Sequence, residues 1–178
     1  MHNDLEAGLK ESYEAATRLI ERNSNEDSSL VDICCVARPP TRFFVDRGAQ
    51  VVGIQPDAQA RVEAHCALGH HKNFYLLGDD PAHLSLPDAF VNVTYALDNL
   101  IGNVPLEYRN HLMSEMSRIT SNAGKVITFT WKADTTTTAF LREWYGQKTI
   151  RITTEHIETA TGTCLRIPAA HHIALHQR

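Results

Sequence analysis

Leu30 to Asp57 reads LVDICCVARPPTRFFVDRGAQVVGIQPD, and the fold turns on how this stretch divides. LVDICCV (Leu30 to Val36) is a short apolar run of the kind that forms a buried strand. Pro39 and Pro40 suit the first turn of a helix, whose amide donors are unpaired in any case. That helix passes through Phe43 and Phe44 and stops at Gly48, a residue suited to a C-terminal cap. AQVVGI (Ala49 to Ile54) is a second buried strand, and Asp57 caps a further helix that runs through Leu68 to Gly69. Strand, helix, strand, helix in this order implies a parallel sheet covered on both faces.

Outside that stretch the rhythm continues. Leu5, Leu9, Tyr13, Ala16 and Ile20 are spaced as one face of an N-terminal helix, and the polar NSNEDSS (Asn23 to Ser29) connects it to the first strand. NFYLLG (Asn73 to Gly78) and AFVNVTYAL (Ala89 to Leu97) are the third and fourth strands. Leu112, Met113, Met116 and Ile119 share a face of a helix over Leu106 to Thr120. Asn122-Ala123-Gly124 then turns the chain into the fifth strand, KVITFTW. A short helix is expected over Thr138 to Tyr145. Beyond it, alternation from Ile150 to Ile157, a turn near Gly162 and the Leu165–Ile167 segment predict antiparallel strands. The expected division is one domain over 1–178: helix and linker at 1–29, a Rossmann-like core at 30–148 and C-terminal strands at 149–178. The last unit reads as truncated. Open sheets of this kind bind ligands beyond the C-terminal ends of their strands, at the switch point. The candidate site therefore falls at residues 34 to 40 and at the ends of strands two to four.

Composition narrows the function. A net charge of −4 gives no basic footprint for nucleic acid, and no apolar run approaches the roughly 20 residues that span a bilayer. Met1 to Lys10 is polar and acidic, so cytoplasm is the expected compartment. The four cysteines lack CxxC spacing, and Cys34 and Cys35 on a strand would face opposite ways. Of the ten histidines, the pairs His70-His71 and His171-His172 are adjacent rather than three or four apart, so no metal site is expected. Trp131 and Trp144 read as core or interface anchors.

The 30–57 stretch resembles, without a gap, the first motif of the class I S-adenosylmethionine-dependent methyltransferases, "hhDhGxGxGxxxxxhaxxGaxVxGhDxS" with h apolar. The match includes Asp32, Gly48, Ala49, Val51, Val52, Gly53 and Ile54. NFYLLGDD, AFVNVTYALDNLIGNVP and HLMSEMSRITSNAGKVITFTW are similar to later segments of that family in the same order. The Asn99 to Asn103 run is especially similar to the glycine/sarcosine N-methyltransferase branch. The resemblance covers about residues 9 to 165. It implies a Rossmann-like fold, S-adenosylmethionine as cofactor and a small-molecule substrate.

Carried over residue by residue, the resemblance places Tyr13 near the methionine end of the cofactor. Asp32, Cys34, Val36 and Arg38 fall along the loop, Gln55 at the ribose, and Asp79 or Asp80 at adenine. Asp98, Asn99 and Asn103 fall where substrate would meet the methyl donor. The departures lie in the loop. Its three glycines fall at Cys34, Val36 and Arg38, and the ribose carboxylate at Gln55. Side chains there would intrude on the cofactor, and a left-handed backbone at Val36 would cost roughly 1–2 kcal/mol. Each residue also has a plainer role. Asp32 could cap the turn, Asp79 and Asp80 the segment at Pro81, and the asparagines could simply form loops. Arg38 could bind an anion, or fill the vacated cavity and pair with Asp32 or Gln55. Two functions follow. One is a non-catalytic or repurposed methyltransferase-fold protein that acts as a homodimer or beside a partner protein. The other is an active small-molecule methyltransferase with an altered loop.

Overall fold

The structure, a computed structural model, describes residues 13–25, 27–97, 100–131, 149–152, 157–159 and 171–177, with side chains as far as residue 128. Helix α1 covers residues 13–22. It is followed by β1 (Ser29–Ile33), α2 (Pro39–Asp46), β2 (Gln50–Ile54), α3 (Ala58–Leu68), β3 (Phe74–Leu77) and β4 (Val91–Ala96). The chain continues through α4 (Leu100–Asn103), α5 (Leu106–Ile119), β5 (Thr120–Trp131), β6 (Thr149–Ile152), β7 (Ile157–Thr159) and β8 (His171–Gln177).

Six strands form one sheet in the order β3-β2-β1-β4-β5-β8. The first five are parallel, and β8 runs antiparallel to β5, pairing Lys125 with Gln177 through to Trp131 with His171. β6 and β7 make a separate antiparallel pair. The expected parallel sheet with antiparallel strands at its C-terminal end is what the chain forms. Helix 138–145 and the Leu165–Ile167 segment lie outside the described residues, as do the side chains of Trp131, Trp144, His171 and His172.

The buried side chains fall into two clusters, one on each face of the sheet. One gathers Ala16, Leu19 and Ile20 of α1, Phe44 and Val45 of α2 and Leu68 of α3 over Leu30, Val51, Val93 and Tyr95. The other gathers Ile101 of α4 and Leu112, Met113, Met116 and Ile119 of α5 over Val31, Ile33 and Val126. Alternation along β1 sends Leu30 to one cluster and Val31 to the other, as the period of a strand requires.

The local signals around α2 and α3 hold. Pro39 and Pro40 occupy the first two positions of α2. At its end Ala49 N–H donates to Phe44 O at 3.1 Å and Gly48 N–H to Val45 O at 3.1 Å, a Schellman motif with Gly48 left-handed at φ 89°. Asp57 caps α3 by accepting from Ala60 N–H at 2.7 Å.

Two expectations change. β1 ends at Ile33, so Cys34 to Val36 belong to the loop rather than to the strand. The expected turn at Asn122 to Gly124 is instead part of β5. Val91 pairs with Thr120 and Val93 with Lys125, so Ser121 to Gly124 bulge out opposite Asn92. Sheet pairing on both sides of the bulge carries the strand through residues that favour a turn in isolation.

Candidate functional site

The winding of the sheet reverses between β1 and β4, so the loops after β1, β2, β3 and β4 converge at the switch point where such sheets take ligands. The loop after β1, residues 34–38, makes its turn without glycine. Cys34 (φ 58°) and Ala37 (φ 55°) are left-handed, whereas Val36, the expected strained position, is not. Each such residue costs roughly 1–2 kcal/mol, a strain the packing around it must hold. Ala37 was not legible as a key position, since alanine carries no signal for a left-handed backbone.

Cys34 packs towards the α5 side and Cys35 is buried on the α1–α2 side, so the two thiols face opposite ways although neither lies on a strand. Burial, with the neighbouring Asp32, pushes the Cys35 thiol far up, so it stays protonated. Asp32 is buried and accepts from Thr41 Oγ1 of α2 at 2.6 Å; Tyr95 Oη of β4 in turn donates to Thr41 at 3.3 Å. This chain of bonds ties the ends of β1 and β4 to α2. Burial, then Asp32, drives the Tyr95 phenol well above its ordinary value, so it remains a donor.

Gln55, 5% exposed, is turned into the structure. Its Nε2 donates to Cys35 O at 3.1 Å and its Oε1 accepts from Asp57 N–H at 3.1 Å. One side chain thereby links the loop after β1 to the cap of α3. It does not pair with Arg38, whose guanidinium lies 5.8 Å from the Tyr13 ring centroid in a cation–π arrangement. Arg38 and Tyr13 thus meet at the rim, one from the loop and one from the start of described α1.

After β3, Asp79 Oδ2 accepts from Ser85 N–H at 2.8 Å and from Ser85 Oγ at 2.6 Å. Asp80 accepts from Ala82 N–H at 2.9 Å and from the Tyr108 hydroxyl of α5. The Tyr108 bond, then Ala82, lowers the Asp80 carboxyl, while burial and Asp80 raise the Tyr108 phenol. The rest of this connection is held from below. Arg118 donates to Leu84 O, Leu86 O, Asp88 and Glu115, and Glu115 accepts from Leu84 N–H at 2.8 Å. Tyr108, Glu115 and Arg118 were not singled out from the sequence, because their partners lie about thirty positions away.

Asn103 is exposed at the end of α4. Asp98 and Asn99 lie outside the described residues. Of the expected site residues, then, the structure gathers Tyr13 with Arg38, Asp32 with Thr41, and Gln55 with the loop through Cys35 O. Among the described residues no cluster of three or more His, Cys, Asp or Glu could hold a metal ion. No helix there is long and apolar enough to cross a membrane. A cavity of about 240 Å³ lined by Glu21, Asn25, Phe43 and Arg47 lies at the opposite edge, ahead of β1 and β2, and contains none of these residues.

No protein-family model matches the chain, and no curated protein matches it by sequence. Solved structures do match. PH0226 from Pyrococcus horikoshii OT3 aligns at TM-score 0.62 and 17% identity over 89% of this chain and 74% of that one. Geranyl diphosphate C-methyltransferase from Streptomyces coelicolor A3(2), in complex with S-adenosyl-L-homocysteine, aligns at TM-score 0.55 and 19% identity over 66% of this chain and 46% of its own. A chain from the complex of the Haloferax volcanii Trm112 methyltransferase activator aligns at TM-score 0.58 and 16% identity, over 72% and 56%. This chain spans about half the length of the latter two. At such identities the likeness speaks for architecture. This chain has the Rossmann-like fold of the S-adenosylmethionine-dependent methyltransferases.

Proposed function

We propose that this chain is a methyltransferase-fold protein whose cofactor site has been rebuilt as internal structure, and that it works as a non-catalytic binding or partner subunit. One observation carries the reading. Gln55, where the resemblance puts the ribose clamp, has both ends of its amide bonded within the chain, to Cys35 O and Asp57 N–H. The neighbouring carboxylates follow the same pattern, Asp32 on Thr41, Asp79 on Ser85 and Asp80 on Tyr108. A ligand that drew on the Gln55 amide would compete with its two internal bonds, each worth about 1 kcal/mol net. Side chains at Cys34, Val36 and Arg38 add bulk where the family has glycine. Partner binding is consistent with the fold, since one protein that shares it is part of a complex with an activator.

A second reading, an active methyltransferase on a small molecule with S-adenosylmethionine as cofactor, is favoured by the loop itself. Its left-handed residues at 34 and 37 keep a tight turn after β1. Calorimetric titration with S-adenosylmethionine and S-adenosylhomocysteine separates the two. Binding tighter than about 100 μM, roughly −5.5 kcal/mol, overturns the first reading. Silence in both titrations supports it. Native mass measurement then distinguishes a homodimer from a monomer that awaits a different chain.

A further inference from the structure

We infer that the rim at the ends of β2 and β3 receives a phosphate monoester carried on a nucleoside, and that Arg61 is the residue that grips it. The inference rests on the reading above, because it needs the ribose clamp to be absent. Arg61 stands in the first turns of α3, and its Nη1 donates to Gln55 O at 2.7 Å and to Pro56 O at 3.1 Å. These two bonds fix the guanidinium across the ends of β2 and β3. Gly78 makes the space for it: a Cβ there would lie 3.0 Å from Nη1 and 3.2 Å from Cζ. With Nη1 held by carbonyls, Nε–H and Nη2 donate to no other described residue. They form one edge of a planar fork, the geometry that takes two oxygens of a phosphate.

The charge pattern agrees. In nucleotide-binding sheets a carboxylate at the end of the second strand reads the ribose hydroxyls, whereas an arginine near that point accommodates a ribose 2′-phosphate. Here the strand ends in Gln55, neutral and turned inward, and a guanidinium rests on its own carbonyl. The acidic neighbours are already engaged, Asp57 with Ala60 N–H and Asp79 with Ser85. Asp57 caps the helix that carries Arg61 and Asp79 follows Gly78, so two carboxylates stand near the fork and inorganic phosphate alone is expected to bind weakly there.

The test is calorimetric titration of the full chain with adenosine 2′,5′-bisphosphate, adenosine 5′-monophosphate, inorganic phosphate and S-adenosylhomocysteine. The bisphosphate is expected to bind at least about tenfold more tightly than the monophosphate and than inorganic phosphate. Arg61→Gln should abolish that margin, and Arg61→Lys, which keeps the charge but loses the fork, should reduce it about threefold or more. Thermal melts of both variants check that each is folded. A bisphosphate that fails to bind below about 1 mM, or binds no better than either comparator, overturns the inference. So does a margin that survives Arg61→Gln. Tight binding of S-adenosylhomocysteine instead sinks the rebuilt-site reading, so the two failures are distinguishable.

Discussion

Replacing Gln55 with glutamate separates a rebuilt site from a merely altered one. If Gln55 serves as a ribose clamp, a carboxylate should be welcome there, because a charged acceptor binds hydroxyls more strongly. The structure implies the reverse. Gln55 Nε2 is the donor to Cys35 O at 3.1 Å, and the side chain is 5% exposed. An ionised carboxylate has no donor and would face that carbonyl. Leaving the carbonyl unsatisfied costs about 1–3 kcal/mol. The introduced carboxyl can escape by staying protonated and donating in its turn. At pH 7 that costs up to about 4 kcal/mol, given an ordinary value of about 4.3 and about 1.36 kcal/mol per pH unit. The variant should therefore lose about 1–4 kcal/mol at pH 7, with Tm falling roughly 2–4 °C per kcal/mol for a chain of this size.

The sign with pH is fixed. A carboxyl whose folded value is raised is stabilising below its unfolded value, and its contribution is lost as pH rises through the folded one. The deficit in Tm should therefore shrink as pH is lowered towards about 4. Thermal melts of Gln55→Glu and the parent chain, followed by circular dichroism at both pH values, give the answer. An unchanged or raised Tm at pH 7 would refute the reasoning, as would a new affinity for S-adenosylhomocysteine in the variant.

Three further outcomes follow from the same bonds. Thr41→Val removes the donor at 2.6 Å from buried Asp32 and the acceptor of Tyr95; denaturant unfolding should show a loss of roughly 2–3 kcal/mol. Gly48→Ala places a side chain at φ 89° with nothing within 4 Å to clash, so its cost should be backbone strain alone, about 1–2 kcal/mol by the same measurement. Asp80 and Glu115 are both lowered, by Tyr108 and Arg118 in first place. Their stabilisation is therefore present at neutral pH and lost as pH falls below the ordinary carboxylate range of about 4. Hydrogen-exchange protection of the Ala82 and Leu84 amides, which those carboxylates hold, should drop over that interval before the sheet melts.

The parts of the fold that proved legible are those written locally. Pro39-Pro40, Gly48 and Asp57 mark helix ends through their own chemistry, and the structure puts all four where that chemistry acts. The β5 bulge was not legible, because Asn122-Ala123-Gly124 favours a turn and only pairing with Asn92's strand keeps it extended. The candidate site divides in the same way. The switch-point loops could be located, but the partners of their residues could not. The Gln55 side chain reaches Cys35, twenty positions away, and Arg118 reaches Leu84 and Leu86 across more than thirty. Such bonds exist only once the sheet has brought the loops together. Arg61 was equally silent, since an arginine on a polar helix looks like any solvated charge until its carbonyl partners are placed.

The left-handed residues at Cys34 and Ala37 have a consequence for how such a turn is read from sequence. A profile built on glycine spacing looks for an amino acid, whereas the turn after β1 is a path through space, and here the path stands without the letter. Other chains with this turn are better sought by its torsion angles than by glycine spacing.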